Sequence, residues 1–426
     1  MVKKLFVALC LLFFVLISPN NALAVTLSWS ETQPLGDTNQ DWNTISTSSD
    51  GQKVIAGIYS GRVYISSNGG DSWSETQPAG NIPENWVVSD MSYDGEVIVL
   101  GVDSGRLYRS TNGGDSWSEM RPAGDTNYSW TSLSVSGDGQ TMMAGVFSGR
   151  VYRSTNGGDT WSETQPAGDT NQDWGSVSIN ENGQIILATV YDGRVYLSTN
   201  QGSSWSETRP AGDTTDLWWD ANMSNDGEVM FASVNDGRLY ISTNGGDTWS
   251  ETQPAGDVNA AWVASQVSGD GEVMFTAISN GRAYASIDGG DSWSETQPAG
   301  DVDDQWNRSA LSEDGESVFI GAWDGRLYEG LFPSPTPGSG GSSSSGGSST
   351  PSSCTAAIPV SAPNLFQVNG SKNSATLYIE PISGQSSGYT VSYGTTSQAD
   401  SFSVSFPYGV ATGAIPYTVN DLYGGT

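Results

Sequence analysis

Ser66-Ser67-Asn68-Gly69-Gly70-Asp71-Ser72-Trp73 is the stretch on which the fold turns, because it returns at 110–117, 154–161, 198–205, 242–249 and 286–293. Its tryptophan belongs to a series, Trp29, Trp73, Trp117, Trp161, Trp205, Trp249 and Trp293, spaced by 44 residues without an insertion. A second series keeps step with it: Trp42, Trp86, Trp130, Trp174, Trp218, Trp262 and Trp306. Seven units of this length suit a seven-bladed β-propeller, an all-β fold in which each unit is a four-stranded antiparallel blade.

One unit can be read strand by strand. Residues 42–48 form the innermost strand and end at the Asp50-Gly51 turn; residues 53–59 form the second, up to the reversal at Ser60-Gly61. Residues 62–65 form the third, with Val63 and Ile65 on one face and Arg62 and Tyr64 on the other. The eight-residue stretch then leads into a fourth strand at 73–77, and Pro78 and Gly80 begin the loop to the next unit. In the stretch itself a short Asx side chain bonds back to the turn, glycine takes the positive-φ position and tryptophan fills the space between strands.

That stretch resembles the Asp-box of the bacterial neuraminidase repeat, S-x-D-x-G-x-T-W. Five of the six copies carry Asn where the family has Asp, and Asp288 alone keeps the acid. The last unit stops after Gly325-Arg326-Leu327-Tyr328-Glu329, at its third strand, whereas Leu27-Ser28-Trp29-Ser30-Glu31 is a fourth strand with no blade before it. The N-terminal strand is therefore expected to complete the seventh blade and remove two open sheet edges. The resemblance fixes fold over 27–330 and leaves function open, since Asp-box propellers include sialidases, other glycoside hydrolases, sortilin-type receptors and photosystem assembly factors.

Flanking the propeller, Lys3-Lys4, an apolar run from Leu5 to Ile17 and Ala22-Leu23-Ala24 follow the order of a secretory signal, with cleavage expected after Ala24. The expected domains are a signal at 1–24, the propeller at 25–331, a Pro/Gly/Ser linker at 332–354 and a truncated fibronectin type III-like sandwich at 355–426. Loss of the signal leaves 14 basic residues against 47 acidic, a net charge of −33, and Cys354 as the single cysteine. Such a balance argues against nucleic acid and anionic membrane surfaces as partners. No segment of the mature chain reads as a transmembrane span, and a secreted or cell-surface location is expected.

The absence of histidine removes the commonest general base and any Ser-His-Asp arrangement. Without a dense D-x-D-x-D loop there is no strong calcium signal, and no cofactor, metal or catalytic set is assigned. The resemblance to sialidases implies three arginines from different blades, a Tyr-Glu pair, an Asp acid and an R-I-P segment; the nearest match to the last is Asn81-Ile82-Pro83, without its arginine. Arg62, Arg106, Arg150, Arg194, Arg238, Arg282 and Arg326 hold one place in every unit, which is seven copies of one group and not a mixed catalytic set. The loops that join fourth to first strands and second to third strands emerge on the same face. Asp37, Asp125 and Asp169, with Trp42, Trp130, Trp174 and Trp218 and the seven arginines, are thus the candidate ligand contacts on that face, offering stacking and bidentate hydrogen bonds.

The function expected is a binding or adhesion module for carbohydrate or a surface protein, with a sialidase-like hydrolase as rival. A hydrolase would show a deep, asymmetric central pocket with converging arginines; a multivalent binder would show seven similar crevices. Against this stand structural readings of the same residues: the Trp42 series as inter-blade core, the arginines paired with carboxylates across blades, and the Trp-Ser-Glu glutamates as charge guarding an outer edge. Trp218-Trp219, Asp303-Asp304, Trp323, Asp103, Asp192, Asp236 and Asp324 break the repeat and are pointers to a single special site.

Overall fold

The structure, a computed structural model, describes residues 25–333 and, farther along, the backbone of five strands. The expected export signal, most of the linker and Cys354 lie outside the described residues. Between Ser28 and Leu331 the chain forms 28 strands, seven antiparallel sets of four. In the first blade the strands are Trp42–Thr47, Val54–Ile58, Val63–Ser66 and Ser74–Thr76, within about one residue of the expected bounds.

Second strands such as Val54–Ile58, Ile98–Val102 and Met142–Val146 are buried at every position. A blade is covered on both faces by its neighbours, so these strands read as unbroken apolar and small residues, with no alternation. Buried clusters lie between adjacent blades: Ile55 and Val63 of the first blade pack with Trp86, Ile98 and Leu100 of the second.

The Asp-box copies behave as turn locks. Ser66 Oγ accepts from Gly70 N–H (2.9 Å), and Asn68 Oδ1 accepts from Ser72 N–H (3.0 Å). Gly70 has φ 88°, where a side chain is strained. The Trp73 indole N–H then reaches the preceding blade, donating to Thr32 Oγ1 at 2.6 Å. The same indole-to-threonine bond recurs for Trp117–Thr76, Trp205–Thr164, Trp249–Thr208, Trp293–Thr252 and Trp29–Thr296. At the interface between the second and third blades, Met120 stands where threonine is expected, and the Trp161 indole keeps only Gly158 O.

Ser28–Thr32 pairs antiparallel with Leu327–Leu331 in the register Trp29↔Gly330 and Glu31↔Tyr328, completing the seventh blade as expected. Gly330 is required there, because a Cβ would lie 2.6 Å from the Trp29 ring. Phe332 is buried in the same cluster as Val25 and Leu27, so the propeller's packing runs one residue beyond the expected boundary.

Two hoops of backbone bonds join the blades. On one face each Gly-Arg glycine pairs with the loop leading into the next blade, as in Gly61↔Glu84, Gly105↔Tyr128 and Gly325↔Gln40. On the other face Ser49 N–H donates to Tyr93 O, Tyr93 to Gly137, Gly137 to Glu181, Glu181 to Asn225, Asn225 to Gly269, Gly269 to Glu313, and Asp314 back to Ser49. The positive φ of the Ser60-Gly61 reversal falls on Ser60 (56°), not on Gly61. Gly61 is there for space, since a Cβ would sit 2.5 Å from Ile58 Cγ2.

The C-terminal strands form a three-stranded sheet of Asn364–Ser371, Ser374–Glu380 and Ile415–Asn420, and a two-stranded sheet of Gly388–Tyr393 and Phe402–Pro407.

Candidate functional site

The repeated arginines fold back onto their own blades. Arg106 reaches Asp125 (2.7 Å) and Glu119 (3.8 Å), Arg150 reaches Asp169 (2.8 Å) and Glu163 (3.5 Å), and Arg326 is held by Asp37 and Glu31. Arg194, Arg238 and Arg282 repeat the pattern with Asp213, Asp257 and Asp301. Arg62 has Glu75 alone, at 3.8 Å, because Asn81 replaces the aspartate. The pairing is therefore within blades and not across them, and the Trp-Ser-Glu glutamates are arginine partners as well as edge charges.

Trp42, Trp130, Trp174 and Trp218 are only 2–3 % exposed. Each indole packs against the third-strand tyrosine of its own blade, as Trp130 does on Tyr152 at 6.3 Å. The indole N–H of Trp130 and Trp174 donates to the glycine carbonyl of the preceding blade, Gly105 (3.2 Å) and Gly149 (3.1 Å). These rings hold blades together and are largely covered, although Trp130 and Trp174 also border the central cavity. The expected set is thus brought together in part: the aspartates meet the arginines, and the tryptophans lie beneath.

A different set converges at the centre. A cavity of about 700 Å³ opens at the mouth of the axial channel, on the face carrying the Gly-Arg turns. It is lined by the residue after the inner-strand tryptophan in all seven blades: Asn43, Val87, Thr131, Gly175, Trp219, Val263 and Asn307. It is also lined by the residue two before the Gly-Arg glycine in six of them: Asp103, Phe147, Tyr191, Asn235, Ser279 and Trp323. These two columns differ from blade to blade, whereas the Ser-Glu of the fourth strand is the same in every one. Trp219, Trp323 and Asp103, which break the repeat, all fall here; Asp303 instead pairs with Arg282 at 2.7 Å.

Two aromatic pairs stand on opposite sides of the ring. Tyr191 and Trp219 meet at 6.1 Å across the fourth and fifth blades, and Tyr59 and Trp323 at 5.8 Å across the first and seventh. Phe147, 52 % exposed, stands on the third blade between them. Among the described residues one arginine lines this bowl, Arg308, whose guanidinium lies 5.9 Å from the Trp219 ring centroid.

Below the bowl the channel is polar. Inner strands show unpaired backbone edges to it, and side chains from neighbouring blades satisfy them. Asp90 carboxylate accepts from Met91 N–H (2.9 Å) and Val135 N–H (2.7 Å). Burial nevertheless pushes its pKa up to about 7. Asp220 accepts from Ala221 and Ser265 N–H, both at 3.1 Å, and burial raises it too, against the pull of Arg308. At the far end Tyr93 donates to Asn225, and Glu313 is pushed to about 8 by burial and by Asp90, Glu181 and Asp314. Among the described residues no group of His, Cys, Asp and Glu is arranged to hold a metal ion.

The sequence profile of the BNR/Asp-box repeat matches residues 240–251, the third-strand and box region of the fifth blade. No curated protein matches the sequence. Among solved structures, "YCF48 bound to D1 peptide" aligns at 15 % identity with TM-score 0.55, covering 72 % of this chain and 96 % of that one. YCF48 from Cyanidioschyzon merolae aligns at 17 % and 0.56, covering 71 % and 98 %. At these identities the likeness is one of fold.

Proposed function

We propose that this chain, a BNR/Asp-box-type β-propeller, is a polypeptide-binding module whose ligand docks in the bowl at the mouth of the axial channel. The observation that carries the reading is where the repeats differ. A duplicated unit that keeps its outer-strand Ser-Glu and varies at the positions facing the axis has its variation aimed there, where two unequal columns of residues build one asymmetric surface. The exposed Phe147, the half-buried rings of Tyr191, Trp219 and Trp323 and a single half-buried guanidinium in a concave cavity are the ingredients of a specific recognition site. The neighbour of like fold that carries a bound peptide gives the same ligand class support.

Carbohydrate is the second reading, favoured by the half-buried rings of Trp219 and Trp323 at the cavity, which suit sugar stacking. The repeated arginines lend it little, since all but Arg62 are paired with an aspartate on the loop after their own blade. Export is part of the proposal: the mature protein is expected to begin at Val25, and N-terminal sequencing of secreted material tests this. The test of the ligand class is selection of peptides from a random display library on the full chain, in parallel with a glycan array. Recovered peptides that bind the parent and lose binding to Trp219→Ala/Trp323→Ala, at unchanged melting temperature, support the reading. Glycan binding lost in the same variant, with no peptide recovered, replaces it by the second.

A further inference from the structure

Arg308 is the seventh-blade member of a column that reads Thr44, Val88, Ser132, Ser176, Asp220, Ala264 and Arg308. It borders both the bowl and the channel beneath, so its head group sits at the floor of the one and the ceiling of the other. Among the described residues the guanidinium forms no hydrogen bond and no ion pair. The nearest carboxylate chemistry is that of Asp220, whose oxygens are already engaged by Ser265 N–H, Ala221 N–H and, at 3.5 Å, the Ser176 hydroxyl. At the sixth blade the inner strand is irregular between Val263 and Gln266, and Ala264 takes φ 57°; this turns the Ser265 N–H onto Asp220 and keeps a small side chain next to Arg308.

A guanidinium carries five donors in a planar fork matched to a carboxylate, and a buried cation left unpaired is costly. Burial lowers the Arg308 pKa, the mark of a charge without sufficient compensation. The Trp219 ring beside it holds the fork by cation–π contact without using a donor.

Building on the reading of the bowl as a polypeptide site, we propose that Arg308 is its anchor and takes a carboxylate of the bound polypeptide, with flanking aromatic side chains set against Trp219–Tyr191 and Trp323–Tyr59. The exposed acids Asp192, Asp236 and Asp324 at the loop tips favour lysine on the remainder of the ligand and disfavour polyanions. One carboxylate on an otherwise basic, aromatic segment is the chemistry that fits.

The carboxylate has two sources, a chain terminus or an acidic side chain, and three probes separate them. Acetyl-Lys-Lys-Trp-Phe as the free acid, the same peptide as its C-terminal amide, and acetyl-Lys-Lys-Trp-Glu amide are titrated into the full chain by calorimetry. Variants Arg308→Gln, Arg308→Lys and Trp219→Ala are measured beside the parent. At least one carboxylate-bearing peptide is expected to bind ten-fold or more tightly than the Phe amide. Arg308→Gln erases that preference and Arg308→Lys keeps part of it; which acid wins identifies the source. If all three peptides bind alike, and Trp219→Ala weakens all of them, the anchor is overturned while the polypeptide site stands. If no peptide binds, or neither Arg308 nor Trp219 matters, both fall together.

Discussion

Replacing Glu313 by glutamine removes one proton site from the channel's far end with little change of shape. In the folded protein this carboxyl holds its proton to about pH 8, against 4.5 for an ordinary glutamate, because burial and the neighbouring Asp90, Glu181 and Asp314 penalise its charge. The folded state therefore binds the proton more tightly than the unfolded chain does. Its contribution to stability is complete below pH 4.5 and is lost as pH rises through 8. Between pH 5 and pH 9 the loss amounts to about 4 kcal/mol at 1.36 kcal/mol per pKa unit. For a propeller of this size that corresponds to roughly 6 °C in melting temperature. Glu313→Gln is expected to melt within about 2 °C of the parent at pH 5 and clearly above it at pH 9, leaving a shallower residual slope from Asp90, which titrates near 7. Scanning calorimetry of both proteins over this range is the assay. Parallel profiles, or a variant that is less stable at pH 9, would refute the claim that Glu313 is charged there at the expense of stability.

Three further outcomes follow from the packing. Thr208→Val removes a hydroxyl that accepts the Trp249 indole N–H and donates to Gly246 O, both at 2.8 Å, and is expected to cost about 1–2 kcal/mol in denaturant titrations. Gly61→Ala places a methyl group 2.5 Å from Ile58 Cγ2 at the hoop, with a loss of about 1–3 kcal/mol; an unchanged denaturation midpoint would show that the turn has room to give. Arg238→Gln breaks a pairing whose aspartate is largely exposed, so the loss is expected to stay within about 1 kcal/mol and to shrink further in 1 M salt.

The ring was legible because the indoles and their turns recur at a fixed interval, and a strand slipped by one residue would bury the wrong side chains throughout. The partner of each arginine was harder to read. Glu75 lies thirteen residues after Arg62, and only the register Tyr64↔Glu75 shows that the two lie close together on adjacent strands. The candidate binding tryptophans are largely covered, since an indole at the start of an inner strand packs under the blade before it, and of the four only Trp130 and Trp174 border the bowl. The bowl escaped for another reason. No single unit contains it; it exists only when position 43 and position 59 are followed down all seven units and the differences are laid around a circle. Trp219, Trp323 and Asp103 gave that signal in part as breaks in the repeat, and Arg308, the one cation in a column of Thr44, Val88, Ser132, Ser176, Asp220 and Ala264, gave it without being singled out.

The joint between Ser28–Thr32 and Leu327–Leu331 links strands about three hundred residues apart, so the first segment of the propeller to be made waits longest for its place. Its Trp-Ser-Glu-Thr sequence is also that of the outer strands at Trp73, Trp161 and Trp249. The vacant slot on the seventh blade thus has no chemical means of telling its own strand from the same strand of another copy; the short tether alone decides, by effective concentration. Crowding unfinished chains together erodes that advantage and turns a device for sealing one ring into a hook for linking several.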